Sequence, residues 1–325
     1  MKNNIAVITP IKHLNNVYEE ISKYGNITYK PEIKKSELRT LLINNNINII
    51  FTNPNKQHFM LNKEVLEGTN IILINTCSTG TNHIDKEYCK EKNIEIWSLT
   101  KDMDLINNLP STSELSFGLM LSLIRNINIG FNSVKNGNWD YEPYIGRQLK
   151  GLTLGIIGFG RLGKIMADFS IGFGLNILVY DPYVKKYENG TKVLGNMGRY
   201  YKSVSKDFLC KNSDVVSLHV HVTDETKNIV NKEFLKNMKE KSYLVNTSRG
   251  ELVNEEDIID YLKNGKLYGY GTDVIFDEFN DNNSKLVDLS KTNKYNIVIT
   301  PHVGGMTWEG QQKAFLYATR KFKRL

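Results

Sequence analysis

At 325 residues the chain exceeds what one ordinary hydrophobic core supports and points to two domains. Hydrophobic residues at 40% and charged residues at 24% place it among globular chains, and no apolar run approaches the ~20 residues that would span a bilayer. The net charge of +7 suits an anionic cofactor and substrate; with no aromatic–basic motif beside it, it does not point to nucleic acid.

In chain order, strand-like apolar runs alternate with helical periodicity. Runs at 5–9, 27–29, 47–52, 71–76 and 94–99 are predicted strands, with helices at 15–23, 35–43 and 85–92 between them. That rhythm belongs to parallel βα units. It pauses at 102–110, a polar stretch without periodicity. A long helix follows, with Ser111 or Thr112 as N-cap, Glu114 at N2 or N3 and apolar residues from Leu115 to Ile127. Residues 136–150 read as a turn-rich loop. A second series has strands at 152–158, 176–181, 214–220, 242–247, 268–274 and 296–300. Its helices are at 161–172, 203–211, 232–238 and 255–264, and a last helix covers about 306–323. Asn44-Asn45-Asn46 and residues 281–284 read as polar loop tips.

Cys77, Cys89 and Cys210 are odd in number and in no metal-ligand spacing, so they read as reduced thiols and no metal is expected. Met1-Lys2-Asn3-Asn4 leads straight into a strand-like run without an apolar signal segment, so a cytoplasmic location is expected.

The strongest local motif is Gly158-Phe159-Gly160-Arg161-Leu162-Gly163, which follows a buried-type strand and opens a helix. Gly158 would permit the tight turn, Gly160 would let the backbone approach a pyrophosphate, and Gly163 would let helix and strand pack closely. The helix N-terminus would meet the phosphates with N–H groups and a positive dipole end. Asp181 ends the next strand, 18 residues beyond Gly163, where it can accept the adenosine ribose 2′-hydroxyl. It would repel a 2′-phosphate, which favours NAD over NADP against the pull of Lys185 and Lys186.

Three later segments each carry an ionisable residue beside a strand end. They are Asn246-Thr247-Ser248-Arg249-Gly250, Asp273-Val274-Ile275-Phe276-Asp277-Glu278, and Thr300-Pro301-His302-Val303-Gly304-Gly305. Ligands of open α/β sheets bind outside the carboxyl ends of the strands, so Arg249, Glu278 and His302 are expected to converge. Arg249 can grip a carboxylate and polarise a carbonyl through its planar fork, and His302 can give and take the proton of the C2 hydroxyl. Glu278 beside His302 would favour the imidazolium.

With the glycine loop, Ser213-Asp214-Val215-Val216-Ser217-Leu218-His219-Val220 and Ser78-Thr79-Gly80-Thr81-Asn82-His83-Ile84-Asp85, these segments resemble the D-2-hydroxyacid dehydrogenase family along almost the whole chain. The resemblance implies an NAD-dependent hydride transfer between the nicotinamide and C2 of a small anionic D-2-hydroxy or 2-oxo acid. It assigns catalysis to Arg249, Glu278 and His302. It implies cofactor contacts at Thr79, Gly158, Gly160, Arg161, Leu162, Gly163, Asp181, Val220, Thr247, Arg249, Asp273, His302 and Gly304. Asp273 would hold the nicotinamide carboxamide. Substrate contacts would come from Ser78, Thr79 and Gly80, with Arg249 and His302. A homodimer is implied, with the helix 112–127 and the loop carrying Trp139 and Tyr141 as candidate contacts.

The expected fold class is α/β, two doubly wound parallel-sheet domains with the cleft between them. Residues 1–106 plus 304–325 would form a flavodoxin-like substrate domain and 107–303 a Rossmann dinucleotide-binding domain. The chain departs from the family at Thr76-Cys77-Ser78-Thr79-Gly80, where Arg–x–Gly–x–Gly is usual, and at His221, where Pro is usual. Two other readings remain open: a phosphorylated or sugar-derived acid as substrate, and an NAD-sensing binding protein. A formate-type enzyme would pair its His with Gln, against Glu278.

Overall fold

A computed structural model describes residues 3–54, 59–184, 192–278 and 284–325. The chain divides into two compact units, Met1–Leu109 with Gly305–Leu325, and Pro110–Gly304.

The first unit holds a five-stranded parallel sheet of β1 (Asn3–Val7), β2 (Gly25–Tyr29), β3 (Ile49–Thr52), β4 (Leu73–Thr76) and β5 (Glu95–Trp97), in the order β2-β1-β3-β4-β5. This is the flavodoxin-like order. Alternate residues of one strand feed opposite faces, as the period of two requires. Ile5 and Val7 pack with Val17, Ile21, Phe315 and Phe322, whereas Ala6 and Ile8 pack with Leu38, Leu42 and Val65. Both faces are therefore covered by helices, which is why the strands read as continuous apolar runs.

The second unit holds β6 (Thr153–Ile157), β7 (Asn176–Tyr180), β8 (Lys192–Leu194), β9 (Tyr200–Ser203), β10 (Val215–Leu218), β11 (Ser242–Asn246), β12 (Leu267–Thr272) and β13 (Asn296–Ile299). Their order is β13-β12-β11-β10-β6-β7-β9-β8. All pair in parallel except β8, which runs antiparallel to β9 at the edge. Counting β6 as first and leaving out β8, this is the doubly wound 3-2-1-4-5-6 order with one strand added. The order reverses between β6 and β10, so the glycine turn after β6 lies at the topological switch point.

Several local expectations differ from what is found. The long helix spans Ser111–Ile124, and neither Ser111 nor Thr112 is its N-cap. Pro110 is already helical at φ −80°, and its carbonyl accepts the Ser113 and Glu114 N–H groups at 2.8 and 3.1 Å. Proline's fixed φ starts the helix without a side-chain cap. The 102–110 stretch contains a one-turn helix, Met103–Ile106, too short to show periodicity. A separate helix, Ile127–Lys135, buries none of its residues. The helix expected from 203 begins at Lys206, capped by the Ser205 hydroxyl, because Ser203 ends β9. Helix Lys285–Lys291 was not foreseen, and of the polar tip at 281–284 only Ser284 lies within the described residues.

Candidate active site

The turn after β6 is built by its glycines for three different reasons. Gly158 has φ +91°, and a Cβ there would lie 2.4 Å from the His219 carbonyl oxygen. A Cβ on Gly163 would lie 2.1 Å from the Gly158 carbonyl oxygen, so helix Arg161–Gly172 can seat on the turn only without one. A Cβ on Gly160 would meet nothing within 4 Å, and its φ is an ordinary −74°. The fold requires Gly158 and Gly163; it does not require Gly160. Space at that position, ahead of a helix N-terminus, fits the backbone approach of a pyrophosphate. Asp181 ties the turn to the end of β7: its Oδ2 accepts the Phe159 N–H at 2.7 Å and its Oδ1 the Tyr183 N–H at 2.9 Å. A carboxylate has about four lone-pair sites, so a ribose hydroxyl can still donate to it. Arg161 is half-buried, and burial pushes its guanidinium below the ordinary value.

The ends of three neighbouring strands carry the ionisable residues. After β11, the Asn246 side chain shapes the turn: it accepts the Ser248 N–H at 3.0 Å and donates to the Arg249 carbonyl at 2.8 Å. Thr247 shares a 2.5 Å hydroxyl bond with Ser116, and Arg249 Nη1 donates to the Ser248 carbonyl at 2.6 Å. After β12, the buried Asp273 organises the next strand's loop. Its Oδ1 accepts from Thr300 Oγ1 (2.5 Å) and the Val303 N–H (2.8 Å), and its Oδ2 accepts the Gly304 N–H (2.7 Å). Burial pushes its carboxyl up while these bonds favour the carboxylate. After β13, His302 stands at φ +52°, a left-handed conformation uncommon for a non-glycine residue, with its N–H on the Asp273 carbonyl at 2.9 Å. Its Nδ1 lies 2.8 and 3.0 Å from the two carboxylate oxygens of Glu278.

A family description, the NAD binding domain of the D-isomer specific 2-hydroxyacid dehydrogenases, matches residues 117–304. The chain belongs to this family. It is 35% identical over 261 residues to the hydroxypyruvate reductase of Thermotoga maritima, covering 79% of each chain. It is 34% identical over 253 residues to the D-3-phosphoglycerate dehydrogenase of Methanocaldococcus jannaschii, covering 78% of this chain but 45% of that one. Among solved structures, D-lactate dehydrogenase from Aquifex aeolicus, complexed with NAD and lactic acid, superposes at TM-score 0.77 with 27% identity, over 99% of this chain and 94% of that one. The protein is thus an NAD-dependent oxidoreductase of the 2-hydroxyacid dehydrogenase family.

In this dehydrogenase the other expected residues have defined surroundings. Val220 follows β10 and packs toward Gly158, and the Leu162 carbonyl accepts from Ser113 Oγ at 2.9 Å. Gly304 is confined, since a Cβ there would lie 2.9 Å from Asp273 Oδ2. Ser78, Thr79 and Gly80 follow β4 in the first unit. The loop is braced: Ser78 Oγ donates to the Gly80 carbonyl at 2.6 Å, and Thr100 Oγ1 donates to the Thr79 carbonyl at 2.7 Å. Lys185 and Lys186 lie outside the described residues.

One feature escaped the sequence reading. A Cβ on Gly250 would lie 2.0 Å from the Ile275 carbonyl oxygen and 2.4 Å from the Phe276 nitrogen, so the residue after Arg249 is pressed against the segment leading to Glu278. His219, read from its place at a strand end as structural, sets Nε2 2.9 Å from Ser217 Oγ, and its buried Nδ1 has no partner among the described residues. The ring is part-exposed as a whole, but burial of its nitrogens pushes it down to about 4. Gly250 could have been suspected from its place beside Arg249; nothing in the sequence marks the Ile275 contact.

Proposed function

We propose that the protein reduces small, unphosphorylated 2-oxo acids to D-2-hydroxy acids at C2 and oxidises them back, with Arg249, Glu278 and His302 as the catalytic group. The single observation that carries this reading is the two-oxygen clasp of Glu278 on His302 Nδ1, 2.8 and 3.0 Å, beside Arg249 at the adjoining strand end. NAD, when bound, supplies or takes the hydride. Arg249 binds the substrate carboxylate and polarises the 2-oxo group through its planar fork. With Nδ1 committed to Glu278, His302 gives the proton to the developing alkoxide through Nε2 and takes it back in oxidation. Glu278 fixes the ring's orientation through Nδ1.

The unit Pro110–Gly304 takes the cofactor role and the other unit the substrate role, with Ser78, Thr79 and Gly80 offering N–H groups to the substrate carboxylate. An unphosphorylated acid is favoured because the hydroxypyruvate reductase is matched over 79% of its length and the phosphoglycerate enzyme over 45%. The three buried free thiols, Cys77, Cys89 and Cys210, support a reducing cytoplasm.

A homodimer is part of this reading, with its contact moved from the expected place. Helix Ser111–Ile124 sinks Leu119, Met120, Leu123 and Ile124 into the core. Helix Ile127–Lys135 instead leaves Ile127, Phe131 and Val134 more than half exposed at helical spacing, beside Trp139 at 90% and Tyr141. An apolar face of this kind fits a second copy.

The test is initial rates of NADH and NADPH oxidation against glyoxylate, hydroxypyruvate, pyruvate and phosphorylated hydroxypyruvate. The expected outcome is NADH-dependent turnover of one or more of the first three. No turnover of any 2-oxo acid, or a preference for the phosphorylated one, would overturn the reading.

A further inference from the structure

The clasp between Glu278 and His302 depends on where the backbone delivers Glu278, and one side chain outside the proposed catalytic group holds that backbone. Glu255 is the first residue of helix Glu255–Lys263, whose N-terminus is already capped by Asn254. The Glu255 carboxylate is turned elsewhere. Its Oε1 accepts the Phe276 N–H at 2.9 Å, and its Oε2 accepts from Ser284 Oγ at 2.9 Å. Phe276 lies two residues before Glu278 and Ser284 six residues after it, so one carboxylate bridges the segment on both sides of the proposed catalytic acid.

The same peptide is confined at a second point. The Ile275–Phe276 peptide presses on Gly250, the residue after Arg249. Between Phe276 and Glu278 the chain turns through Asp277 at φ +54°, so the orientation of the Phe276 peptide sets the direction in which Glu278 leaves. A hydrogen bond weakens steeply with misdirection, and a displacement of about 1 Å in a reacting array can cost ~10²-fold in rate.

We propose that Glu255 is a positioning residue for the acid–base pair, acting only through Glu278; this rests on the reading of His302 as the proton donor. Glu255 touches neither reacting atom. It holds the Phe276 N–H while Gly250 leaves room for the same peptide, and Glu278 is thereby delivered in register with His302.

The experiment is a double-mutant cycle on the full chain, read as kcat and KM for the 2-oxo acid the wild type reduces best. Glu255→Ala should lower kcat about tenfold, the scale expected when an outer partner of a positioned group is removed. KM for NADH should stay within about twofold. The pH profile of kcat should move toward that of Glu278→Gln. Glu255→Gln, which can accept from Phe276 and donate to the Ser284 oxygen, should recover most of the loss. In a Glu278→Gln background, Glu255→Ala should have almost no further effect.

An unchanged kcat in Glu255→Ala, or the same fold loss in both backgrounds, would overturn the proposal. Glu255→Asp keeps the charge at the helix start but is one methylene short of spanning Phe276 and Ser284. It serves if the alanine variant does not fold: coupling to Glu278 supports the brace, and additivity overturns it. A wild type inactive on every 2-oxo acid overturns the functional reading and the brace with it. An active wild type with a fully active Glu255→Ala overturns the brace alone.

Discussion

His302 pays for its left-handed backbone through Asp273, whose main chain and side chain together hold the 300–304 turn. A histidine so fixed is well placed for proton transfer, and three substitutions separate that role from a merely structural one. His302→Ala should lower kcat by at least ~10²-fold with little change in NADH affinity, since a positioned proton donor contributes that much. Glu278→Gln keeps the size of the side chain but removes the carboxylate that clasps Nδ1, so kcat should fall while KM for NADH stays nearly unchanged. Arg249→Lys should chiefly raise KM for the oxo acid, because a point charge cannot reproduce the fork. If all three only lower the melting temperature and leave the pH profile in place, the cluster is structural. His219 gives a prediction about stability. Its folded-state value of about 4 lies below the ~6.5 of an unfolded chain, so protonation favours unfolding. The contribution is intact above about pH 6.5 and is lost as pH falls toward 4, by on the order of 2–3 kcal/mol. Chemical denaturation of wild type and His219→Gln at pH 7 and pH 5 measures it; equal losses in both would refute it.

At the scale of elements, the glycine turn separates what the fold needs from what the cofactor needs. Gly163→Ala should cost about 1–3 kcal/mol through overpacking, read as a lowered melting temperature. Gly160→Ala should melt like wild type yet bind NADH more weakly, read by fluorescence titration; unchanged binding would contradict the cradle. The parallel strands were legible because helices cover both faces and leave long apolar runs such as Ile5–Val7 and its neighbours. The hairpin of β8 and β9 was not, because Lys192, Leu194, Tyr200 and Lys202 are exposed and strands of three and four residues are too short to show an alternation. Only Ile127 of helix Ile127–Lys135 was read as helical, because Asn128, Gly130 and Asn132, poor helix formers, interrupt its short apolar spacing. The meeting of Glu278 with His302 was legible from residue type and order at strand ends. The contacts of Gly250 and Glu255 with the Glu278 segment were not, since they join residues about 20–25 positions apart by backbone groups that every residue has.

At the scale of the whole molecule, the exposed face of helix Ile127–Lys135 predicts association. Sedimentation at micromolar concentration should give a dimer mass, and Phe131→Glu should shift it toward monomer without lowering the melting temperature of the separated chain. A wild type that sediments only as monomer would refute the contact. The discontinuous first unit has another consequence, which concerns synthesis. Ile5, Val7, Phe51 and Leu73 share their core with Ala314, Phe315, Ala318 and Phe322, supplied from the far end of the sequence. On the ribosome, that sheet face has only part of its cover, which includes Val17 and Ile21 of helix Val17–Ser22, until residues 314–322 have emerged. The unit Pro110–Gly304 is continuous and can complete its own core first. The unit whose first strands are translated before the other is therefore the one that finishes folding later, and during elongation its part-covered apolar face is exposed to chaperones.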